Sequence, residues 1–114
     1  MQSTLMSASK LLVERIRHLL SKRRGITEKK MFGGVCFLLN GNMLVAVWND
    51  SLIARLGIEQ AEIALTEPDV REMDVTGRPM RGWIIVEPDG IDGDQQLTRW
   101  IDLSMTFVRT LPAK

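Results

Sequence analysis

Cysteine and histidine are nearly absent from this chain. Cys36 is the only cysteine and His18 the only histidine among 114 residues. No intrachain disulfide is possible, which excludes an exported, disulfide-built scaffold. No His pair or Cys/His cluster exists to hold a metal. Tyrosine is missing, aromatic residues make up 5%, and no serine sits in a nucleophile-elbow pattern. Long apolar runs are missing too. Lys10, Glu14, Arg15 and Arg17 interrupt the first twenty residues, so they form no signal-peptide core, and nothing elsewhere reaches the ~18 residues of a membrane span. No internal repeat, linker or low-complexity tract is present. What is there is an ordinary globular balance, 45% hydrophobic and 25% charged, which excludes disorder. A chain of this length buries roughly two thirds of its surface without metal or disulfide staples. The expectation is one soluble, cytoplasmic domain over residues 1–114.

The net charge of +1 hides an asymmetry. Residues 1–57 hold nine Lys/Arg against three acids, whereas residues 58–114 hold six against eleven. Such a division marks either a surface for nucleic acid or an acidic partner, or two halves that attract each other in the fold. The second, solvated or intramolecular reading is the expected one.

Periodicity divides the chain. Leu12, Ile16, Leu19 and Leu20, with Leu5 and Ala8 behind them, form the apolar stripe of a helix over 7–22, capped by Ser7 and stopped by Gly25. His18 lies off that stripe, one turn from Glu14 as a solvated partner. The period then becomes strand-like, with strands expected at 29–32, 35–39, 42–47 and 52–55. Asn40-Gly41 is a strong hairpin signal. A two-residue loop sets Leu38 opposite Met43, Phe37 opposite Leu44, Cys36 opposite Val45 and Val35 opposite Ala46, with Trp48 over Gly33. A short helix follows at 58–65, then strands at 70–73 and 83–86 around a loop. Pro88-Asp89-Gly90 is a turn, and Asp92 or Asp94 caps a closing helix at 95–110. The order predicts an α+β fold: an antiparallel sheet of about six strands, N-terminal and C-terminal helices packed on it, and a short middle helix.

Catalytic, cofactor and metal residues are not expected. Cys36 sits mid-strand among Val35, Phe37 and Leu38 and reads as a buried, inert thiol. Gly33-Gly34 and Gly77-Arg78-Pro79 match no phosphate-loop spacing. The acids Glu59, Glu62, Glu67, Asp69, Glu72 and Asp74 are scattered over helix, loop and strand, which makes an enzyme the weakest class. Two stretches remain as interaction candidates. Lys22, Arg23, Arg24, Lys29 and Lys30 put five cations within nine residues. They are either a solvated helix end or a weak, non-specific phosphate surface with no aromatic platform. In the run from Thr76 to Trp83, Arg78, Arg81 and Trp83 make either a structural crossover or a recognition surface.

The stretch Met31-Phe32-Gly33-Gly34, followed by a short strand, Asn40-Gly41 and Met43, resembles the TfoX N-terminal domain. Residues 73–83 resemble a later segment of that family's stand-alone branch, and the flanking helices fit, so the resemblance covers nearly the whole chain. The resemblance implies a bacterial regulatory or protein-interaction module. The family's named member regulates competence genes and carries a second domain, for which no counterpart is expected here. The family supplies no catalytic residues, so Met31, Phe32, Gly33, Gly34, Asn40 and Gly41 carry over as fold determinants. An unidentified protein partner is expected, with weak nucleic-acid binding as the alternative and no membrane association.

Both faces of the hairpin are apolar. Val35, Phe37 and Leu39 with Leu44 and Ala46 share one face, and Cys36 and Leu38 with Met43, Val45 and Val47 the other. Three helices cover one sheet face but hardly two. A homodimer is therefore expected to bury the second face, unless the 58–65 helix crosses over to it.

Overall fold

Asn40 (φ 52°) and Gly41 (φ 85°) both lie in the left-handed region, as a tight two-residue turn between strands demands. The computed structural model describes residues 8–31, 33–74 and 77–114; the expectations for Leu5, Ser7, Phe32 and Thr76 lie outside the described residues. Around the turn the elements run α1 (Lys10–Leu19), β1 (Ile26–Met31), β2 (Gly34–Leu39), β3 (Asn42–Trp48), β4 (Ser51–Arg55), α2 (Ile58–Ala64), β5 (Val70–Glu72), β6 (Trp83–Val86), a 3-10 turn (Pro88–Gly90) and α3 (Asp94–Val108). The six strands form one sheet in the order β1-β2-β3-β4-β6-β5, every neighbouring pair antiparallel. The fold is the expected α+β arrangement.

Several boundaries differ for identifiable reasons. Ser9 caps α1, its Oγ accepting the Leu12 N–H at 3.1 Å. The helix ends at Leu19 rather than at 22. Gly25 does not stop the helix; its carbonyl accepts the Asn40 N–H at 2.8 Å, and the sheet claims residues from Ile26 onward for β1. At the other end Gly93, not Asp92 or Asp94, is the N-cap of α3, and its N–H donates to Gln96 Oε1 at 2.8 Å. Glu14 pairs with Arg17 rather than His18; the Arg17 guanidinium reaches both Glu14 and Glu28 with charge-assisted hydrogen bonds.

The largest departure is in the hairpin register. Leu38 pairs with Met43 as expected, but a bulge follows, and the next pairs are Phe37–Val45, Cys36–Ala46 and Val35–Val47. Leu44 is the inserted residue, so every pair beyond it slips by one and Trp48 does not face Gly33. The bulge exchanges residues between faces. Leu44, Val45 and Val47 join Phe37 and Leu39 under the helices, whereas Ala46 joins Cys36 on the opposite side. The expected grouping of Val45 and Val47 with Cys36 and Leu38 is therefore corrected.

α1 and α3 cover one face, with Leu12, Ile16 and Leu20 from the first and Leu97, Trp100, Ile101, Met105 and Val108 from the second. Ala61 and Ala64 of α2 belong to this same cluster, so the short helix does not cross the sheet. The opposite face carries Cys36, Ala46, Ile53, Met73 and Ile85, flanked by half-buried Met31, Leu38, Met43, Trp48, Met80 and Trp83. Its cover comes from the loop between β5 and β6, where the Met80 N–H donates to the Met73 carbonyl at 3.0 Å and folds both methionines inward. Among the described residues no helix is long and apolar enough to cross a membrane.

The charge asymmetry is used partly inside the chain. Arg15 meets Asp94 at 3.1 Å and Arg23 meets Asp102 at 3.2 Å, both joining the basic half to α3. Elsewhere Arg17, Arg99 and Arg71 hydrogen-bond Glu28, Glu67 and Glu87 and hold these carboxyls below the ordinary value of 4.5, with Ser51 adding to the effect on Glu87. A carboxyl depressed in the folded state contributes stability above its unfolded pKa and loses it as pH falls through the folded value. The urea midpoint should therefore stay level from neutral pH to about pH 5 and fall on further acidification. The Glu67 and Glu87 pairs, both solvent-screened, should contribute about 0.2–1 kcal/mol each. Urea melts across this range check it: Glu67→Gln should flatten the acid limb, and an unchanged limb would show that this pair adds nothing.

Candidate functional site

β4 ends and β6 begins at one place, because Arg55 pairs with Trp83 across the two strands. Just beyond, the N–H groups of Leu56 and Gly57 both donate to the Gly82 carbonyl, at 2.9 and 3.0 Å. This pair of hydrogen bonds to one carbonyl fixes how the chain leaves the sheet towards α2. Phe107 of α3 closes over the junction. The Arg55 guanidinium carbon lies 5.0 Å from the Trp83 ring centroid and 5.9 Å from that of Phe107. Two aromatic faces so placed attract the cation and restrict its long side chain.

Two of the concavities that Trp83 lines bear on this junction. One is a cleft of about 600 Å3 where Arg55, Leu56, Ile58, Arg81, Leu103 and Phe107 face one another. The other is a smaller pocket of about 200 Å3 on the face of the sheet that no described helix covers. Its walls include Met31, Cys36, Met43, Trp48, Met73 and Met80. Trp83 lines both, so this one ring links the end of the sheet to its apolar face.

The interaction candidates are distributed unevenly. Trp83 and Arg81 come together in the cleft, with Arg81 3.4 Å from Glu62. Arg78 is exposed in the loop and lies outside both concavities. The basic run is not one patch. Arg23 is tied to Asp102. Lys29 pairs with Cys36 and Lys30 with Val35, so the two lysines project from opposite faces of β1. Lys22 and Arg24 are exposed in the α1–β1 connection. Of the fold-motif residues, Gly33 (φ 78°) reverses the chain between β1 and β2, Met31 and Gly34 border the smaller pocket, and Asn40 and Gly41 form the turn at the far end of the hairpin. Arg55 and Phe107 have no local sequence signal: one ends an apolar strand, and the other sits in the apolar stripe of α3.

The Cys36 thiol is buried, and burial pushes its pKa up despite nearby Lys29, so thiolate is scarce at neutral pH. Glu62 and Glu67 pair with Arg81 and Arg99 respectively, whereas Asp74 and Glu87 share Arg71. Among the described residues no cluster of His, Cys, Asp and Glu could hold a metal ion.

The family model of the TfoX N-terminal domain matches residues 18–108. Comparisons with curated proteins and with solved structures return no match.

Proposed function

This chain belongs to the TfoX N-terminal domain family, and from that premise we propose that it is a cytoplasmic regulatory module that acts by binding protein, without turnover. We further propose that its first partner is a second copy of itself. The observation that carries this reading is the apolar, methionine- and tryptophan-rich face of the sheet, where Met31, Met43, Trp48, Met80 and Trp83 remain half-buried around the small pocket. Such side chains adapt to a partner surface, and an apolar face of this kind is commonly buried by a two-fold contact. The sheet edges do not compete. β5 has three residues, and β1 carries Glu28, Lys29 and Lys30, charges that discourage edge-to-edge pairing.

Sedimentation equilibrium at micromolar concentration tests the proposal. The protein should sediment as a dimer, and Met43→Glu, on the apolar face, should sediment as a monomer with a near-unchanged urea midpoint. A strictly monomeric parent protein would sink the homodimer. Weak, sequence-independent nucleic-acid binding is the alternative. It rests on exposed Lys22, Arg24, Lys29 and Lys30, but the division of Lys29 and Lys30 between faces weakens it. Filter binding separates the two readings. Any retention of DNA or RNA at low salt should vanish at physiological salt, and tight retention there would favour the alternative.

A further inference from the structure

We propose that the cleft between the end of β4, the start of β6 and the C-terminal half of α3 is a binding site for a small organic carboxylate with an apolar body. The inference starts from the hydrogen bonding of Arg55. Six arginines form ion pairs: Arg15, Arg17, Arg23, Arg71, Arg81 and Arg99. Among the described residues, Arg24, Arg78 and Arg109 have no carboxylate but are exposed to water. Arg55 alone is half-buried without one, and its Nη1 makes only a long 3.5 Å contact with the Met43 carbonyl. A guanidinium carries five N–H donors, and those of Arg55 without a protein partner still reach solvent at the cleft, where a carboxylate could take them up. Trp83 and Phe107 lie beside this cation at 5.0 and 5.9 Å but offer no lone pair to its N–H groups.

The rest of the cleft selects the class of anion. A phosphate group needs many donors, and the nearby backbone N–H groups of Leu56 and Gly57 already bond to Gly82. The Thr106 and Thr110 hydroxyls donate to the carbonyls of Asp102 and Phe107, so they offer lone pairs rather than protons. That leaves the fork of Arg55, with Arg81 shared with Glu62 at the rim. One planar fork matches one carboxylate. Glu62 answers Arg81 and Glu59 also lines the cleft, so the site holds no excess positive charge and the Arg55 fork suits a monoanion better than a more highly charged group. Leu56, Ile58, Leu103 and the two rings form an apolar wall. The cleft volume of about 600 Å3 suits a small organic molecule.

Titration followed by amide NMR tests the site, with phenylpropionate, indoleacetate and octanoate as probes beside phenylpropionamide and inorganic phosphate. At least one carboxylate should bind saturably, with shifts around Arg55, Trp83 and Phe107, and the amide should bind about tenfold or more weakly. Arg55→Gln should lose about tenfold in affinity, and Arg55→Lys should restore it only in part, because an ammonium lacks the fork. Thr106→Trp, at an exposed position of α3 on the cleft, should block binding with Arg55 intact and guards against a folding defect in the Arg55 variants. The proposal is overturned if no carboxylate binds, if the amide or phosphate binds as tightly, or if both Arg55→Gln and Thr106→Trp bind the carboxylate unchanged. Trp83 lines both the cleft and the proposed dimer face, but carboxylate binding and sedimentation are separate readouts, so failure of one is distinguishable from failure of the other.

Discussion

Trp100→Ala should lower the unfolding free energy by about 3–5 kcal/mol, the largest loss expected from a single truncation in this protein. Trp100 is 2% exposed at the centre of α3, among the largest side chains of the helix-side core. Its Nε1 donates to the Gly90 carbonyl at 3.2 Å, and the Arg99 guanidinium carbon lies 4.4 Å from its ring centroid. Alanine removes the ring, leaves a cavity that α3 and the sheet cannot fully close, and strips Gly90 of this partner. Trp100→Phe keeps most of the volume and loses mainly the hydrogen bond, so it should cost about 1–3 kcal/mol. Urea melts of the three proteins check both values. A loss below about 1 kcal/mol for the alanine variant would mean that the site collapses without a cavity.

Gly34→Val should destabilise by about 1–3 kcal/mol or more, although valine is the better strand former. Gly34 opens β2, and a Cβ added there would stand 2.3 Å from the Val47 carbonyl oxygen and 3.6 Å from that of Met31. The first obstacle is backbone of the neighbouring strand, so relief requires β2 and β3 to part. The Met-Phe-Gly-Gly motif thus gains a physical reason at its last position: strand β3 passes too close for a side chain. An unchanged urea midpoint for Gly34→Val would show that the two strands separate there at little cost.

Much of the architecture was legible in local chemistry. Asn40-Gly41 specifies its turn because few other pairs accept positive φ at both positions. α3 follows from the helical spacing of Leu97, Trp100, Ile101, Ser104 and Val108, which are all buried. Trp83 and Arg81 stand out in a short loop rich in glycine and proline. These signals act over a few residues and need no knowledge of what packs against them.

What lay beyond the sequence arises where apolar alternation gives no preference or where distant elements meet. In β2 and β3 nearly every position is apolar, so a one-residue slip exchanges one hydrophobic for another and the pattern cannot choose between registers. Packing under α1 and α3 decided it by admitting both Leu44 and Val45 on the helix side. The second face likewise took its cover from Met73 and Met80 of a loop, not from α2. The cleft is the clearest case. Arg55, Trp83 and Phe107 lie on β4, β6 and α3, far apart in the chain; Trp83 stands out, but Arg55 and Phe107 read as an ordinary strand end and helix stripe, and nothing local joins the three. The sequence by itself determined the turn, the helices, the count of strands and the family. The tertiary structure alone decided the bulge, the face each hydrophobic side chain occupies and the half-buried cation, because these depend on which surfaces meet across the fold rather than on the preferences of neighbouring residues.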